Sequence, residues 1–195
     1  MAEPLTLTEV ERLPVTPYAE LRPQLRSGDL LFASGRYLLS KAIQSATRSP
    51  WSHVGIVFHV GTFDRKLLLE SVEDAGVRLA PLTRYLNDYD HGRPYDGMLV
   101  VARFQVLNPE MVLRLGQFGT DLMTRPYGCE EIGVTVARVV LGMSREGHDP
   151  NYISSELVQH CFQNAGYAFD TGPGGFIAPA DIWADRNVTL LARIR

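Results

Sequence analysis

A histidine, a carboxylate and a serine in this chain could together perform nucleophilic catalysis. His53 opens the run His53 to Val60, whose β-branched residues predict a strand. Because side chains alternate along a strand, His53 and His59 share a face but lie about 20 Å apart, too far to serve one site. At the start of its strand the His53 ring can reach a cleft, where an imidazole can act as a general base.

Glu70 interrupts an otherwise apolar run, Lys66 to Val72, which predicts the strand that pairs with that of His53. A carboxylate inside a strand is costly to bury without a partner. Two interpretations stay open: Glu70 faces water on the outer side of the sheet, or it accepts a hydrogen bond from the His53 ring. The second arrangement would fix the imidazole tautomer and stabilise the imidazolium.

A candidate nucleophile stands at the start of the helix predicted from about Ser154 to Ala165. The first turn of a helix offers unpaired N–H groups and the positive end of the dipole. These features lower the pKa of a nucleophile and can bind a developing oxyanion. Serine is also a preferred N-cap residue, so capping is an equally physical explanation for Ser154 and Ser155.

The elements that must position these residues are segregated along the sequence rather than alternating. Residues 53–60 and 66–72 flank a short turn, which predicts an antiparallel hairpin. The whole pattern predicts an α+β fold, with an antiparallel sheet packed against helices. The predicted strands are 30–33, 53–60, 66–72, 98–104 and 188–194, and the predicted helices are about 37–46, 108–123, 130–142, 154–165 and 179–184.

The length of 195 residues predicts one domain with a short appendage. Four prolines punctuate the beginning of the chain, at positions 4, 14, 17 and 23. Residues 1–24 are therefore predicted to form an N-terminal arm with little independent structure, and residues 25–195 a single folded domain.

Composition excludes several classes of protein. Nineteen Lys and Arg against 22 Asp and Glu give a net charge of −3, which argues against a nucleic-acid binder. Two cysteines outside any CxxC pair exclude a disulfide framework and a cysteine-rich zinc site, and no metal or organic cofactor is expected. The start of the sequence lacks a secretory signal and no window is apolar enough to span a membrane, so the expected location is the cytoplasm. Composition leaves the oligomeric state open.

Four blocks of sequence together resemble a known family. In their order and spacing they are similar to the circularly permuted papain-like (YiiX/YaeF-like) branch of the NlpC-type cysteine peptidase superfamily, and distantly to lecithin:retinol acyltransferase. The resemblance covers about residues 26–185. It implies a papain-like fold, in which a sheet carrying a histidine and a polar residue packs against a helix whose N-terminus presents a cysteine. The blocks are residues 27–32, 49–57, 69–70 and 152–158.

The resemblance also implies roles for individual residues. His53 corresponds to the general base, Glu70 to the residue that orients it, and Ser154 stands at the nucleophile position. Tyr127 is similar to a tyrosine that lines the active site in related enzymes, although a turn residue packed on the core is an equal alternative. Tyr127 and Ser155 are the predicted substrate-binding residues.

The main departure from the family pattern is the serine at position 154, where the family has cysteine. A thiol and an imidazole have similar pKa values and readily form an ion pair, whereas a serine hydroxyl must lose its proton as it attacks. Three explanations compete. The chain is a Cys→Ser variant of an active enzyme, or a natural protein that has lost catalysis and kept a binding cleft, or Ser154 is a working nucleophile.

Neither of the two cysteines is a natural substitute. Cys161 lies two helical turns from Ser154, about 10.5 Å along the axis, on an apolar stripe that predicts a buried structural thiol. Cys129 follows Tyr127 closely enough to approach the cleft, but nothing in its neighbourhood activates it.

The expected activity is therefore that of a cysteine-peptidase-like amide hydrolase, an amidase or peptidase, on a peptide, amide or acyl-lipid substrate. One alternative is a catalytically inactive binding module. Another is a lipid acyltransferase or esterase of the same fold, which would need an apolar groove leading to Ser154. Side chains that could line such a groove, although stripes of this kind usually belong to a core, are Phe118, Leu122, Val139 and Val140.

Overall fold

A seven-stranded sheet organises the computed structural model, which describes residues 5–126, 153–172 and 175–195. In spatial order the strands are β1-β7-β6-β2-β3-β4-β5, and every neighbouring pair is antiparallel except β1 and β7. The predicted α+β fold and the hairpin of β3 and β4 are confirmed. The strands are β1 (Val15–Thr16), β2 (Leu30–Gly35), β3 (His53–Val60), β4 (Arg65–Val72), β5 (Gly76–Pro81), β6 (Gly97–Phe104) and β7 (Val188–Ile194).

The helices of the described residues agree with the stronger periodic patterns. Those predicted at about 37–46, 108–123, 154–165 and 179–184 are confirmed, while the helix predicted at 130–142 lies outside the described residues. Within the described part of the chain, no helix is long and apolar enough to cross a membrane. The helices are α1 (Leu7–Arg12), α2 (Tyr18–Leu21), α3 (Leu38–Thr47), α4 (Thr83–Asn87), α5 (Pro109–Asp121), α6 (Ser154–Asn164) and α7 (Pro179–Trp183).

Both faces of the central strands are covered by hydrophobic clusters. On one face, Val54 and Ile56 of β3 pack with the apolar stripe of α6. On the other face, Val57 of β3 and Leu68 of β4 pack with Tyr85 of α4. Burial on both faces explains why apolar residues follow one another without alternation at positions 56–58 of β3 and 67–69 of β4.

The first residues fold onto the sheet, so the expectation of little structure before residue 24 is wrong for the part that is described. Thr6 caps α1 through its hydroxyl, and Val10 of α1 is fully buried in the core. Strand β1 pairs with β7, and the Arg193 guanidinium donates a hydrogen bond to the Glu11 carbonyl oxygen at 2.6 Å. The prolines open short elements instead of preventing structure: Pro17, for example, immediately precedes α2.

Strand β5 and helix α4 are additions that the sequence patterns do not predict. Both are short, and β5 ends in a proline. Together they place two residues, Arg78 and Tyr85, beside the predicted catalytic pair.

Candidate active site

The imidazole of His53 is hydrogen-bonded to the buried carboxylate of Glu70. The distance between His53 Nε2 and Glu70 Oε2 is 2.9 Å, and the Glu70 side chain has 0% exposure. The β3–β4 register places Ile56 opposite Leu69, so His53 and Glu70 are diagonal neighbours on one face of the hairpin. The alternative in which Glu70 faces water is wrong.

Two further donors hold the Glu70 carboxylate. Arg78 lies directly opposite on β5, and its Nε donates to Glu70 Oε1 at 2.9 Å, while the Tyr85 hydroxyl donates to Oε2. Burial raises the pKa of the Glu70 carboxyl. The hydrogen bonds and charges of His53, Arg78 and Tyr85 together lower it by more, so the net pKa lies below its usual value. Glu70 is therefore ionised at neutral pH.

The charge of Glu70 fixes the tautomer of a neutral His53 ring. An ionised carboxylate can only accept hydrogen bonds, so His53 Nε2 must carry a hydrogen. Nδ1 is then the nitrogen that can take up a proton from a nucleophile. The His53 side chain is 15% exposed, so this nitrogen lies at the edge of the protein interior rather than deep within it.

A cluster of four tyrosines surrounds the buried end of this network. Tyr85 lies against Tyr89 and Tyr95 with ring centroids 4.7 and 5.2 Å away, and Tyr37 lies 5.5 Å from Tyr95. Burial raises the pKa of Tyr85 well above its usual value and that of Tyr89 to about 12. These phenols therefore stay neutral, so Tyr85 remains a hydrogen-bond donor to Glu70.

Ser154 is the first residue of α6, and its side chain is almost entirely buried. Helix α6 packs against β3 and β4 on the face of Val54, opposite to that of the His53 side chain. Among the described residues, no hydrogen bond joins the Ser154 hydroxyl to the His53 ring. The pairing of Ser154 with His53 therefore stays a prediction.

Comparison with protein families gives a match over residues 24–171, to the model described as permuted papain-like amidase enzyme, YaeF/YiiX, C92 family. The chain belongs to this family. The matched segment runs from the residues before β2 to those after α6 and contains His53, Glu70 and Ser154.

A solved structure has the same fold as this chain. The crystal structure of a protein described as metalloprotein yiiX from Escherichia coli O157:H7 has a TM-score of 0.66 to this chain, with 23% sequence identity. The match covers 87% of this chain and 98% of the other. No curated protein sequence matches the chain. The permuted papain-like fold is thus supported by both sequence and structure.

Capping does not explain the two serines at the start of α6. The N-cap of α6 is Ile153, whose backbone N–H donates to Glu156 Oε2 at 3.4 Å, so Ser154 and Ser155 already lie inside the helix. The Ser155 hydroxyl donates to the Ile177 carbonyl oxygen at 2.8 Å and ties α6 to the residues before α7. The Ser155 hydroxyl therefore already donates its proton to a backbone carbonyl oxygen within the fold.

The remaining candidates are distributed as follows. Cys161 is fully buried, and burial raises its pKa to about 12, which confirms a structural thiol. Tyr127 and Cys129 lie outside the described residues. Leu122 is buried in the hydrophobic core that includes α6, and Phe118 is partly buried against that core. The other two groove candidates, Val139 and Val140, lie outside the described residues.

Sequence reasoning missed Arg78 and Tyr85 as partners of Glu70. One signal could have found Arg78: the turn at residues 73–76 joins two strands in a register that places position 78 opposite position 70. Tyr85 has no comparable signal, because a five-residue helix places it under the sheet.

Proposed function

We propose that this C92 family member is an amide hydrolase in which His53 is the general base, Glu70 orients it, and position 154 carries the nucleophile. The hydrogen bond between the His53 ring and the buried, ionised Glu70 is the observation that carries the proposal. Burying a carboxylate costs free energy, and the role proposed for Glu70 is to hold the His53 imidazole in one tautomer.

In the proposed reaction, the nucleophile at position 154 attacks the amide carbonyl carbon, and His53 Nδ1 takes its proton. The imidazolium is stabilised by Glu70 while the N–H groups in the first turn of α6 bind the oxyanion. Ser155 contributes through its backbone N–H, since its hydroxyl is bonded to Ile177. The imidazolium then protonates the leaving amine, and a water molecule, deprotonated by His53, releases the acyl group.

We further propose that Ser154 replaces a cysteine and that the chain with serine is inactive or weak. In a pair of thiol and imidazole the proton transfer precedes attack, whereas serine needs both events at once. A natural protein with serine at this position that has lost catalysis would instead be a binding module with the same cleft. Turnover of amide and ester panels by the Ser154→Cys variant distinguishes the two, since a binding module would hydrolyse neither.

The mechanism proposed here needs no metal ion. The solved relative is described as a metalloprotein. In the described ranges of this chain, however, no group of three or more His, Cys, Asp or Glu side chains is placed to hold a metal. The donor set around Glu70 also differs from a metal site, because two of its three partners are the cationic Arg78 and the neutral phenol of Tyr85.

The pKa of a thiol introduced by Ser154→Cys tests the proposal. We expect the rate of iodoacetamide alkylation to reach half its maximum well below pH 8.5, which is the usual pKa of a cysteine thiol. The reason is that His53 and the start of α6 would stabilise the thiolate. Peptide mapping separates this thiol from Cys129 and from buried Cys161. The matched control adds His53→Ala, which should return the midpoint toward about 8.5. A midpoint near that value without the His53 substitution would rule out the proposed pairing.

A further inference from the structure

A cavity of about 400 Å³ lies at the end of the sheet away from His53. Its described lining comes from the residues just before β2, from the end of β6 and from the start of α5. Ala33 of β2 is opposite His53, so Asp29 in the lining is four residues further along, about 13 Å. Small-molecule sites have volumes of about 300 to 1,000 Å³, so the cavity has room for a ligand outside the proposed active site.

An ion pair between Asp29 and Arg103 forms one wall of this cavity. Nε and Nη2 of Arg103 donate to the two oxygens of the Asp29 carboxylate at 2.8 and 2.9 Å, and Nη2 also donates to the Gln24 carbonyl oxygen at 2.8 Å. Because Asp29 is almost fully buried, the pair holds the Arg103 guanidinium in one orientation. Nη1 of Arg103 forms no hydrogen bond with any other described residue, so its two hydrogens remain free to donate.

Arg26 and Ser27 add further donors to the lining. The Arg26 guanidinium forms no hydrogen bond or ion pair with any other described residue. The Ser27 hydroxyl accepts a hydrogen bond from the His59 backbone N–H at 2.9 Å and keeps its own hydrogen to donate. The carboxylate of Asp29, in contrast, is already bonded on both oxygens, to Arg103 and to the Arg26 backbone N–H. The charged groups of the cavity thus have donors left over and no free acceptor among the described residues.

The charge of the lining favours a ligand with one negative charge. Two guanidinium groups and one carboxylate leave a single positive charge among the described lining residues. A carboxylate carries one negative charge and matches the donor geometry of a guanidinium. A phosphate group on a ligand carries about −1.5 to −2 at pH 7, which exceeds the positive charge that the cavity offers.

The remaining wall is apolar. Leu107, in the turn after β6, and Val112, in α5, both line the cavity and are only partly buried. Leu107 also packs on the hydrophobic core and closely approaches Gly28, where an added Cβ atom would lie 2.2 Å from Leu107 Cδ1. This wall is therefore fixed in place, and an apolar group bound against it would remove its exposed surface from water.

We propose that this cavity is a binding site for small carboxylic acids that have an apolar body. The carboxylate is held between the Arg26 guanidinium and Nη1 of Arg103, and the apolar body contacts Leu107 and Val112. None of these residues takes part in the proposed hydrolysis, so the site goes beyond the proposed function and does not depend on it.

Binding of 4-phenylbutanoate, measured by calorimetry, tests this assignment. Arg26→Gln should weaken binding about tenfold through the loss of one charge-assisted contact. The matched control is Arg65→Gln, which removes the same charge from an exposed arginine at the same end of the sheet but outside the cavity, and it should leave binding unchanged. The neutral analogue 4-phenylbutanamide should bind more weakly and be insensitive to Arg26→Gln.

The apolar wall and the location of the ligand are tested with the same probe. Val112→Ser should weaken binding, whereas Leu113→Ser should not, because Leu113 is more than half exposed and does not line the cavity. Acetate should bind at least tenfold more weakly than 4-phenylbutanoate. In NMR spectra the guanidinium signals of Arg103 should shift on binding, while those of the His53 ring should not.

Equal binding of the acid and its amide, equal effects of the two arginine substitutions, tighter binding of inorganic phosphate than of 4-phenylbutanoate, or no binding of any probe would each overturn the inference. Shifts of the His53 ring signals in place of those of Arg103 would also overturn it, because the acid would then lie in the proposed active site. Binding at this cavity does not involve position 154. Failure here together with a low thiol pKa in Ser154→Cys would therefore refute the carboxylate site and leave the proposed function standing.

Discussion

Glu70 is the residue on which the candidate site depends most. Its carboxylate has no contact with water and is held by an imidazole, a guanidinium and a phenol. Such a network is stable only while every member is present, since the removal of one leaves the others buried without a partner. The residue proposed to orient the general base thus also stabilises the fold, and both roles depend on its ionised form.

Glu70→Gln should lower the free energy of unfolding by about 3 kcal/mol at neutral pH, because one partner of a buried ion pair is lost. The pKa of Glu70 is lower in the folded protein than in the unfolded chain, where it is near 4.5. Its stabilisation is therefore complete above that pH and is lost as the pH falls through the folded pKa. Urea unfolding at a series of pH values should show the two proteins converging in acid.

Glu110→Gln is the control for this measurement. Glu110 pairs with Arg114 one helical turn away at the surface, so its loss should change stability by less than about 0.5 kcal/mol. If the two glutamine variants lost the same stability, or if the Glu70→Gln difference were independent of pH, the account of Glu70 as a buried anion would be wrong.

At the scale of elements, α5 approaches the sheet and α6 closely at one glycine. A Cβ atom on Gly119 would lie 2.2 Å from Leu69 Cδ2 and 3.4 Å from Cys161 Sγ. A Cβ on Gly116, one turn earlier, would lie 3.4 Å from the ring of Phe58, which is an ordinary contact. The same helix therefore contains one glycine that packing requires and one that it does not.

Gly119→Ala should destabilise the protein by about 1 to 3 kcal/mol, because the added methyl group overpacks the core at Leu69. Gly116→Ala should raise stability by up to about 1 kcal/mol, because alanine has the higher helix propensity. Chemical unfolding of the two variants compares them directly. A gain in stability for Gly119→Ala would mean that α5 does not pack this closely.

Some of these elements could be predicted from the sequence and others could not. The hairpin of β3 and β4 and helix α6 have long, regular hydrophobic patterns, and both were predictable. The short β5 and α4 have no pattern of their own, because pairing with β4 and packing under the sheet define them. The site divides in the same way. His53 and Glu70 could be paired as one of two alternatives, and Arg78 could have been found only through the register of β5 on β4. Tyr85 had no signal in the sequence.

At the scale of the whole molecule, the beginning of the chain completes the sheet. Among the described strands, β1 lies at the edge of the sheet and pairs only with β7, and Val10 of α1 is buried in the core. Without these residues, β7 would become an exposed edge strand, which is prone to pair with other molecules.

A chain lacking residues 1–17 should therefore lose about 2 kcal/mol or more of stability, mainly through the loss of buried Val10. It should also self-associate through the uncovered edge of β7. Unfolding in urea and light scattering measure the two effects, with a chain beginning at Leu5 as the control. If the shortened chain were equally stable and monomeric, these residues would be a dispensable arm.

The position of β7 between β1 and β6 also has a consequence for how the molecule folds. During synthesis, α1 and β1 leave the ribosome long before β7, the strand that pairs with β1, which is the last of the described strands. The hydrogen bond from Arg193 to the Val10 carbonyl spans 183 positions, so a very large loop must close before this edge forms. Contacts of such long range slow folding and keep early segments exposed. We expect this edge of the sheet to close last, after the strands that carry His53 and Glu70 have already paired.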